Sequence, residues 1–491
     1  MNFKRILAAA LSAVTILSAT SCGFIVVNDV SGRQTGKSGE AEGDDSPETA
    51  VKVTEFTKYR TREDAKAISD GYLDELPARD YEGAVFFLTT PNASYIAPDD
   101  TESVLSRLAV QRNAEIEERY NISLLTAVED GDTMFNALVQ EIAAGSFYTD
   151  LLMIPLFQVG EYKMANVLLN MRSAPFFDLD QPYFNAESSD MTSGGYTTYG
   201  VAGDASISPS DLSAVYMNKA ILAEADVDAY SFFRMTEEGT WTWDRLLEAA
   251  EAVASLGDCT TISAESLDSR LPDLVFKSMG NQFVLAGERK VPIVGFSLHG
   301  VQPTMDVLER IYSDSHSAVR DASDAIVSFA EGKTAFHIEY LYAMPWLTNA
   351  AADWGLLPLP KASEDQAEYK TLVDNDTLIF AIPKNHTNAE IPAIILSALN
   401  AASSGYMYDA FVDYNMLNIL RDNDSVNMLD LILDTASFDF ALAFGTSYPT
   451  IANATYRLIR SCAPTNNLAE SYSARRQEAN KVMRQYFDLT Y

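Results

Sequence analysis

The sequence predicts an α/β protein built on parallel sheets covered by helices, and three observations carry that expectation. Short apolar runs alternate with helical periodicities from Ala84 to Ile154 in a β-α-β-α-β order, and a second set of such runs follows from Ser213 onward. Of the 491 residues, 47% are apolar and 21% charged, an ordinary globular balance that excludes disorder as the main state. At about 150 residues per domain the length suits roughly three units, or two large ones. Loops at the C-terminal ends of parallel strands form a crevice, so ligand-binding residues are sought there.

Taken in order, Arg62 to Leu76 reads as a short amphipathic helix stopped by Pro77. Ala84-Val85-Phe86-Phe87-Leu88 reads as a buried strand entering the loop Thr89-Thr90-Pro91-Asn92. Thr101 to Tyr120 is helical, Ile122 to Leu125 a second strand, and Thr133 to Ala144 a helix with Phe135, Leu138, Val139 and Ile142 on one face. Asp150 to Ile154 is a third strand, closed by Pro155.

In the second set, Ser213 to Tyr216 is a strand, and Thr242 caps a helix running to Ala254 with Asp244 in its first turn. Thr334 to Ile338, Trp354 to Pro360 and Leu378 to Pro383 are strands, and Ile391 to Ala402 a helix. The last hundred residues are mainly helical, as in Val426 to Leu433 and Ser471 to Phe487.

Charge narrows the function. With 35 Lys+Arg against 69 Asp+Glu the net charge is −34, which leaves nothing to neutralise a phosphate backbone or hold anionic lipid. His299, His316, His337 and His386 share no i,i+4 spacing, and three scattered cysteines make neither a disulfide scaffold nor a zinc site. No metal or cofactor is expected. Cys259 and Cys462 are read as free thiols, although pairing stays open.

The N-terminus directs location. Lys4 and Arg5 precede an apolar run from Ile6 to Ala19, too short for a bilayer core of about 20 residues and right for a secretory signal. Ala19-Thr20-Ser21-Cys22-Gly23 resembles a bacterial lipobox, with Ala19 where Leu is usual; it implies a signal peptide over 1–21 and lipidation of Cys22. Residues 22–54, rich in Gly, Ser, Asp and Glu, read as a flexible tether, and 55–80 as a lead-in helix.

Five stretches together resemble the family 1 extracellular solute-binding proteins. They are Tyr148-Thr149-Asp150-Leu151-Leu152, Tyr199 to Asp204, Val215-Tyr216-Met217-Asn218-Lys219, Thr240-Trp241-Thr242-Trp243-Asp244, and Phe329 to Phe336. The Asp353–Pro360 run and the segment from Arg421 to Asp430 add to the likeness, which covers roughly Glu82 to Phe487. Met217 stands where the family more often has Phe or Tyr.

The resemblance implies a two-lobed periplasmic-binding-protein-like fold of type II, each lobe a mostly parallel sheet flanked by helices. Lobe 1 would comprise 81–204 with 353–385, and lobe 2 would comprise 205–352 with 386–491. Crossings are expected near Val201–Ser208, Asp353–Leu359 and Pro383–Asn388. It further implies a substrate-binding lipoprotein of an ABC importer, anchored outside the cell membrane, monomeric, and delivering a solute to permease subunits.

Candidate contacts follow from strand ends and from that likeness. Thr89, Thr90 and Asn92 suit sugar hydroxyls or plain turn chemistry. Phe157, after the third strand and beside Gln158, is a stacking or a packing residue. Asp204 lies at the first crossing, where the family commonly places a carboxylate against a hydroxyl. Tyr340, Tyr342 and Trp346 follow a strand where the family supplies aromatics to the cleft. Trp241 is expected to be partly exposed and Trp243 to pack, and Asp374-Asn375-Asp376 reads as a polar turn at the rim.

No G-x-S-x-G, S-x-x-K or G-x-G-x-x-G occurs, so the chain is not read as an enzyme. The competing functions are a surface sensor or adhesion module on the same fold, and a secreted glycoside hydrolase with paired carboxylates. The absence of a basic cluster at the predicted lips favours a neutral carbohydrate.

Overall fold

The computed structural model describes residues 62–488 apart from 95, 99–102, 207, 265–269, 320–323, 387 and 405–418. The signal peptide, Cys22 and the tether therefore lie outside the described residues.

Two four-stranded sheets organise the chain. The first has the order β2-β1-β3-β8, with β1 Ala84–Thr90, β2 Ile122–Val128, β3 Leu151–Pro155 and β8 Leu378–Ala381. The second has the order β7-β4-β6-β5, with β4 Ser213–Asn218, β5 Thr260–Ala264, β6 Thr334–Tyr340 and β7 Trp354–Leu357.

Direction within the sheets explains how the halves meet. In the first, β1, β2 and β3 are parallel and β8 alone is reversed, Leu378 lying opposite Pro155. In the second, β5 and β6 are parallel, and β4 runs antiparallel to both β6 and β7. Each sheet thus has three strands running one way and one running back. The reversed strand in each is the one that follows a crossing, so it starts at the end where the others finish. Because β4 sits inside its sheet rather than at an edge, two of the three pairings there are antiparallel. The second sheet is therefore mixed, not mostly parallel as the sequence suggested.

Local signals fix the helices. In α2, Val104–Tyr120, the Ser103 hydroxyl caps the N-terminus by accepting from Ser106 N–H at 2.9 Å, and Asn121 ends it in a left-handed conformation at φ 50°. In α3, Gly131–Ala144, Asp130 caps by accepting from Thr133 N–H at 3.0 Å, and Gly145 closes it at φ 69°. Both lie beside the first sheet, as does α1, Arg62–Glu75.

One core packs Phe86, Leu88, Leu151, Met153 and Phe380 with Leu73, Ile116, Tyr120 and Ile395. A larger core takes the other face of β3 through Leu152 and Ile154 and runs without interruption to Tyr216, Phe336 and Trp354 of the second sheet. The C-terminal helices join the two regions. Phe487 packs on Phe440 and Phe444 at ring separations of 5.1 and 5.2 Å, and the Lys163 ammonium lies 4.2 Å from its ring centre.

The crossings differ from those expected. β7 pairs with β4, Trp354 opposite Asn218, so this run belongs to the second sheet and not to lobe 1. Lys361 still pairs with Thr242, and the Tyr369 hydroxyl still donates to the Thr236 carbonyl at 3.2 Å. The chain returns to the first sheet only at 373–377. After β8 the helix α8, Glu390–Ser403, stays against α1 and α2 rather than leaving at Pro383–Asn388. The helix α9, Asn423–Asp434, packs on β7, which puts the last transfer between them.

Candidate functional site

The site is built where the strand ends of both sheets meet, and the segment Val373–Thr377 holds them together. On one side Leu156 N–H donates to the Thr377 carbonyl at 2.9 Å and Phe157 N–H to the Asn375 carbonyl at 3.0 Å, tying the segment to the end of β3. On the other, Val373 bridges Leu212 and Asp374 N–H donates to the Asp211 carbonyl at 2.8 Å, tying it to the start of β4. Leu341 N–H donates to the Leu212 carbonyl at 2.8 Å, which adds the end of β6.

Charge is concentrated here. The Arg270 guanidinium donates to Asp374, lies 3.7 Å from Asp376 and stands 5.9 Å from the centre of the Tyr340 ring. Burial alone would pull the Arg270 pKa down, but Asp374, Tyr340 and Asp376 outweigh it and hold the group above its ordinary value. Burial pushes the Asp211 carboxyl up to about 7, the Asp374 and Asp376 carboxylates adding to the effect and the Thr377 hydroxyl and Arg270 opposing it. Burial also raises Asp374, against Arg270. One turn of α6, Leu271–Ser278, away, buried Asp273 accepts from Arg460 at 3.1 Å through Nε. The cluster thus carries more carboxylates than guanidinium groups, and Arg270 is already committed to them.

The candidate aromatic residues divide sharply by exposure. Tyr340 is buried, and its ring stacks on Tyr342 at 6.0 Å. Tyr342 is 38% exposed and Trp346 48%. Phe157 is half-buried at the end of β3. Trp241 is fully buried, its indole N–H donating to the Pro358 carbonyl at 3.0 Å and its ring 4.8 Å from Phe232. The expected exposure of Trp241 is therefore wrong: the loop after Thr240 turns inward because its indole fills the second-sheet core. Trp243 packs as expected, donating to Ser278 at 3.0 Å.

Thr90 is buried at the end of β1 and its hydroxyl donates to the Asn92 carbonyl at 2.9 Å. Asn92 is exposed, and its side-chain carbonyl accepts from Ser94 N–H at 2.9 Å, so both serve the turn. Asp204 is exposed beside the first crossing, its N–H donating to Tyr183 at 3.1 Å. Arg270 was missed by sequence reasoning: it stands 104 positions from Asp374 with no local motif around it. Asp374 and Asp376 lie in the segment that the sequence reads as a polar turn at the rim, with no sign there of their pairing with Arg270.

Among the described residues, no group of three or more His, Cys, Asp or Glu could hold a metal. Burial pushes His337 down to about 3, and its Nδ1 shares a 2.9 Å hydrogen bond with Ser263. Cys259 and Cys462 are free thiols. No described helix is long and apolar enough to cross a membrane.

No family model matches the chain, and no curated protein matches it. Solved structures do. A cyclic α-maltosyl-1,6-maltose binding protein from Arthrobacter globiformis superposes with a TM-score of 0.57 at 12% identity, covering 82% of this chain and 100% of that one. The galacto-N-biose-/lacto-N-biose I-binding protein of an ABC transporter from Bifidobacterium longum, in complex with lacto-N-biose, gives 0.54 at 13% over 83% and 98%. A family 1 extracellular solute-binding protein from Bifidobacterium longum subsp. infantis gives 0.53 at 13% over 83% and 100%. At these identities the likeness is one of fold: the chain has the two-lobed solute-binding architecture.

Proposed function

We propose that this chain is the solute-capturing component of an ABC importer, taking a small neutral carbohydrate or oligosaccharide between the facing strand ends of its two sheets. The observation that carries the reading is the Val373–Thr377 segment, bonded to β3 on one side and β4 on the other, with the exposed Tyr342 ring stacked on Tyr340 next to Arg270. Such a link lets two halves swing and re-close, and a ligand that touches both raises the closed population by its preference for that form. The sugars named for proteins of the same fold support the ligand class.

In this reading Tyr342, Trp346 and Phe157 offer ring faces to sugar C–H surfaces, and Asp204 and Asp376 accept from hydroxyls. Thr90, Asn92 and Tyr340 shape the lips, and Trp241 has no part. The carboxylate excess repels anionic solutes. Lobe 1 takes residues up to about 204 with 378–403, and lobe 2 takes 213–372 with 423 onward. Cys22 carries the lipid that holds the protein on the outer face of the membrane, where permease subunits are its partners. It works as a monomer, with no cofactor and no catalysis.

Calorimetric titration of the purified protein with a panel of mono- and oligosaccharides tests this. Saturable binding is expected, weakened about tenfold or more in Tyr342→Ala or Trp346→Ala. Binding of phosphorylated compounds alone, or of sugars with no loss in either variant, overturns it.

A further inference from the structure

Away from the strand ends, a pocket of about 320 Å³ opens between the end of α1 and the segment 176–183, and it adjoins the site above through Tyr183, whose carbonyl accepts from Asp204 N–H. Phe176, Phe177 and Tyr183 supply aromatic surface, and Glu75 and Asp178 supply carboxylates. The volume is that of a small-molecule site.

Three features give the pocket a chemical preference. Phe176 is 54% exposed and holds φ at +58°, a conformation a bulky residue seldom adopts, so the backbone presents this ring outward rather than burying it. Its face already receives a cation, because the Arg79 guanidinium stands 5.2 Å from the ring centre while pairing with Glu390 at 2.7 Å. Tyr183 is buried and held edge-on by Tyr72 at 5.5 Å and Phe184 at 4.8 Å, which makes a rigid wall. Aromatic faces with nearby carboxylates attract a cation through the ring quadrupole and by charge, and a chain of net charge −34 concentrates cations at its surface.

We infer that this pocket binds a compact organic cation, an alkylammonium whose apolar methyl groups lie on Phe176 and Phe177 while its charge faces Glu75 and Asp178. The inference does not rest on the sugar reading, since none of the side chains assigned to sugar lines this pocket.

The test uses choline chloride and its neutral carbon isostere 3,3-dimethylbutan-1-ol, titrated into the full chain at matched ionic strength by calorimetry or ligand-observed NMR. Choline is expected to bind saturably, at least tenfold tighter than the alcohol. Phe176→Gly removes the ring at a φ that glycine adopts freely, so the fold should hold while choline affinity falls at least fivefold. Glu75→Gln should weaken choline two- to threefold and leave the alcohol unchanged. Equal binding of alcohol and choline overturns the inference, as does choline binding that survives both substitutions unaltered, or no choline binding at all.

Discussion

The two sheets are covered very differently. In the first, Val85, Phe87 and Leu125 on β1 and β2 are 47%, 38% and 49% exposed, whereas every residue of β4, β6 and β7 in the second is buried. Leu152 and Ile154 of β3 share a core with Met134 and Leu138 of α3, but this cover leaves Val85 and Phe87 of β1 and Leu125 of β2 exposed. Side-chain alternation explains why that matters: neighbours on β1 point to opposite faces, and the face of Phe86 and Leu88 is packed while Val85 and Phe87 on the other lie exposed. The contrast teaches that the second sheet, with the C-terminal helices, is the rigid body of the molecule. The first is the lighter partner, attached through the core that continues from β3 and through the charged strand-end cluster.

The largest effect should come from the rigid body. Phe336→Ala, at a fully buried position on β6, should cost about 3–5 kcal/mol in denaturant unfolding. A loss below about 1 kcal/mol would remove the distinction between the sheets.

Next comes the joint. Arg270→Ala leaves Asp374 and Asp376 without their guanidinium, and about 2–4 kcal/mol should be lost, with the unfolding transition splitting into two steps. A single transition at unchanged midpoint would show that the cluster does not couple the halves.

Asp211→Asn sharpens the same point through pH. The folded Asp211 carboxyl, near 7, exceeds its unfolded value of about 4, so the folded state holds the extra proton between those values. Its contribution is therefore full below about pH 4 and lost as pH rises through 7. The Asn variant should match the parent at pH 4 and be the more stable of the two at pH 8. Equal stability at both pH values would contradict the buried carboxyl.

The smallest effect belongs to the bare face. Phe87→Ala should cost less than about 1 kcal/mol, since its ring meets Phe147 only at 6.2 Å and stays half in water.

Sequence patterning located most elements because local signals coincided with tertiary ones. The β1 run, the α3 face with Leu138, and the Thr242–Ala254 helix all stand close to where periodicity put them. It overlooked β5, whose Thr260, Thr261 and Ser263 look like a loop; pairing with β6 makes it a strand, with Thr261 and Ser263 buried. Fold direction was half legible: three co-directional strands per sheet follow from the alternation, but the interior place of β4 depends on pairing with β6 and β7 more than a hundred residues later. Tyr342 and Phe157 could be placed after strand ends from local pattern alone. Arg270 was invisible because its meaning comes from Asp374 across the fold, and Trp241 was misjudged because its indole hydrogen bond to Pro358 cannot be read locally.

The reversed strands also dictate an order of assembly as the chain emerges from a ribosome. The sheet that begins at Ala84 lacks its last member until Ala381 has been made, while the one that begins at Ser213 is complete by Leu357. The sheet started first is thus finished last. Until most of the polypeptide exists, its three early strands wait with an open edge, which slows compaction through the entropy of closing so long a span. A protein wired this way stays threadable for most of its synthesis.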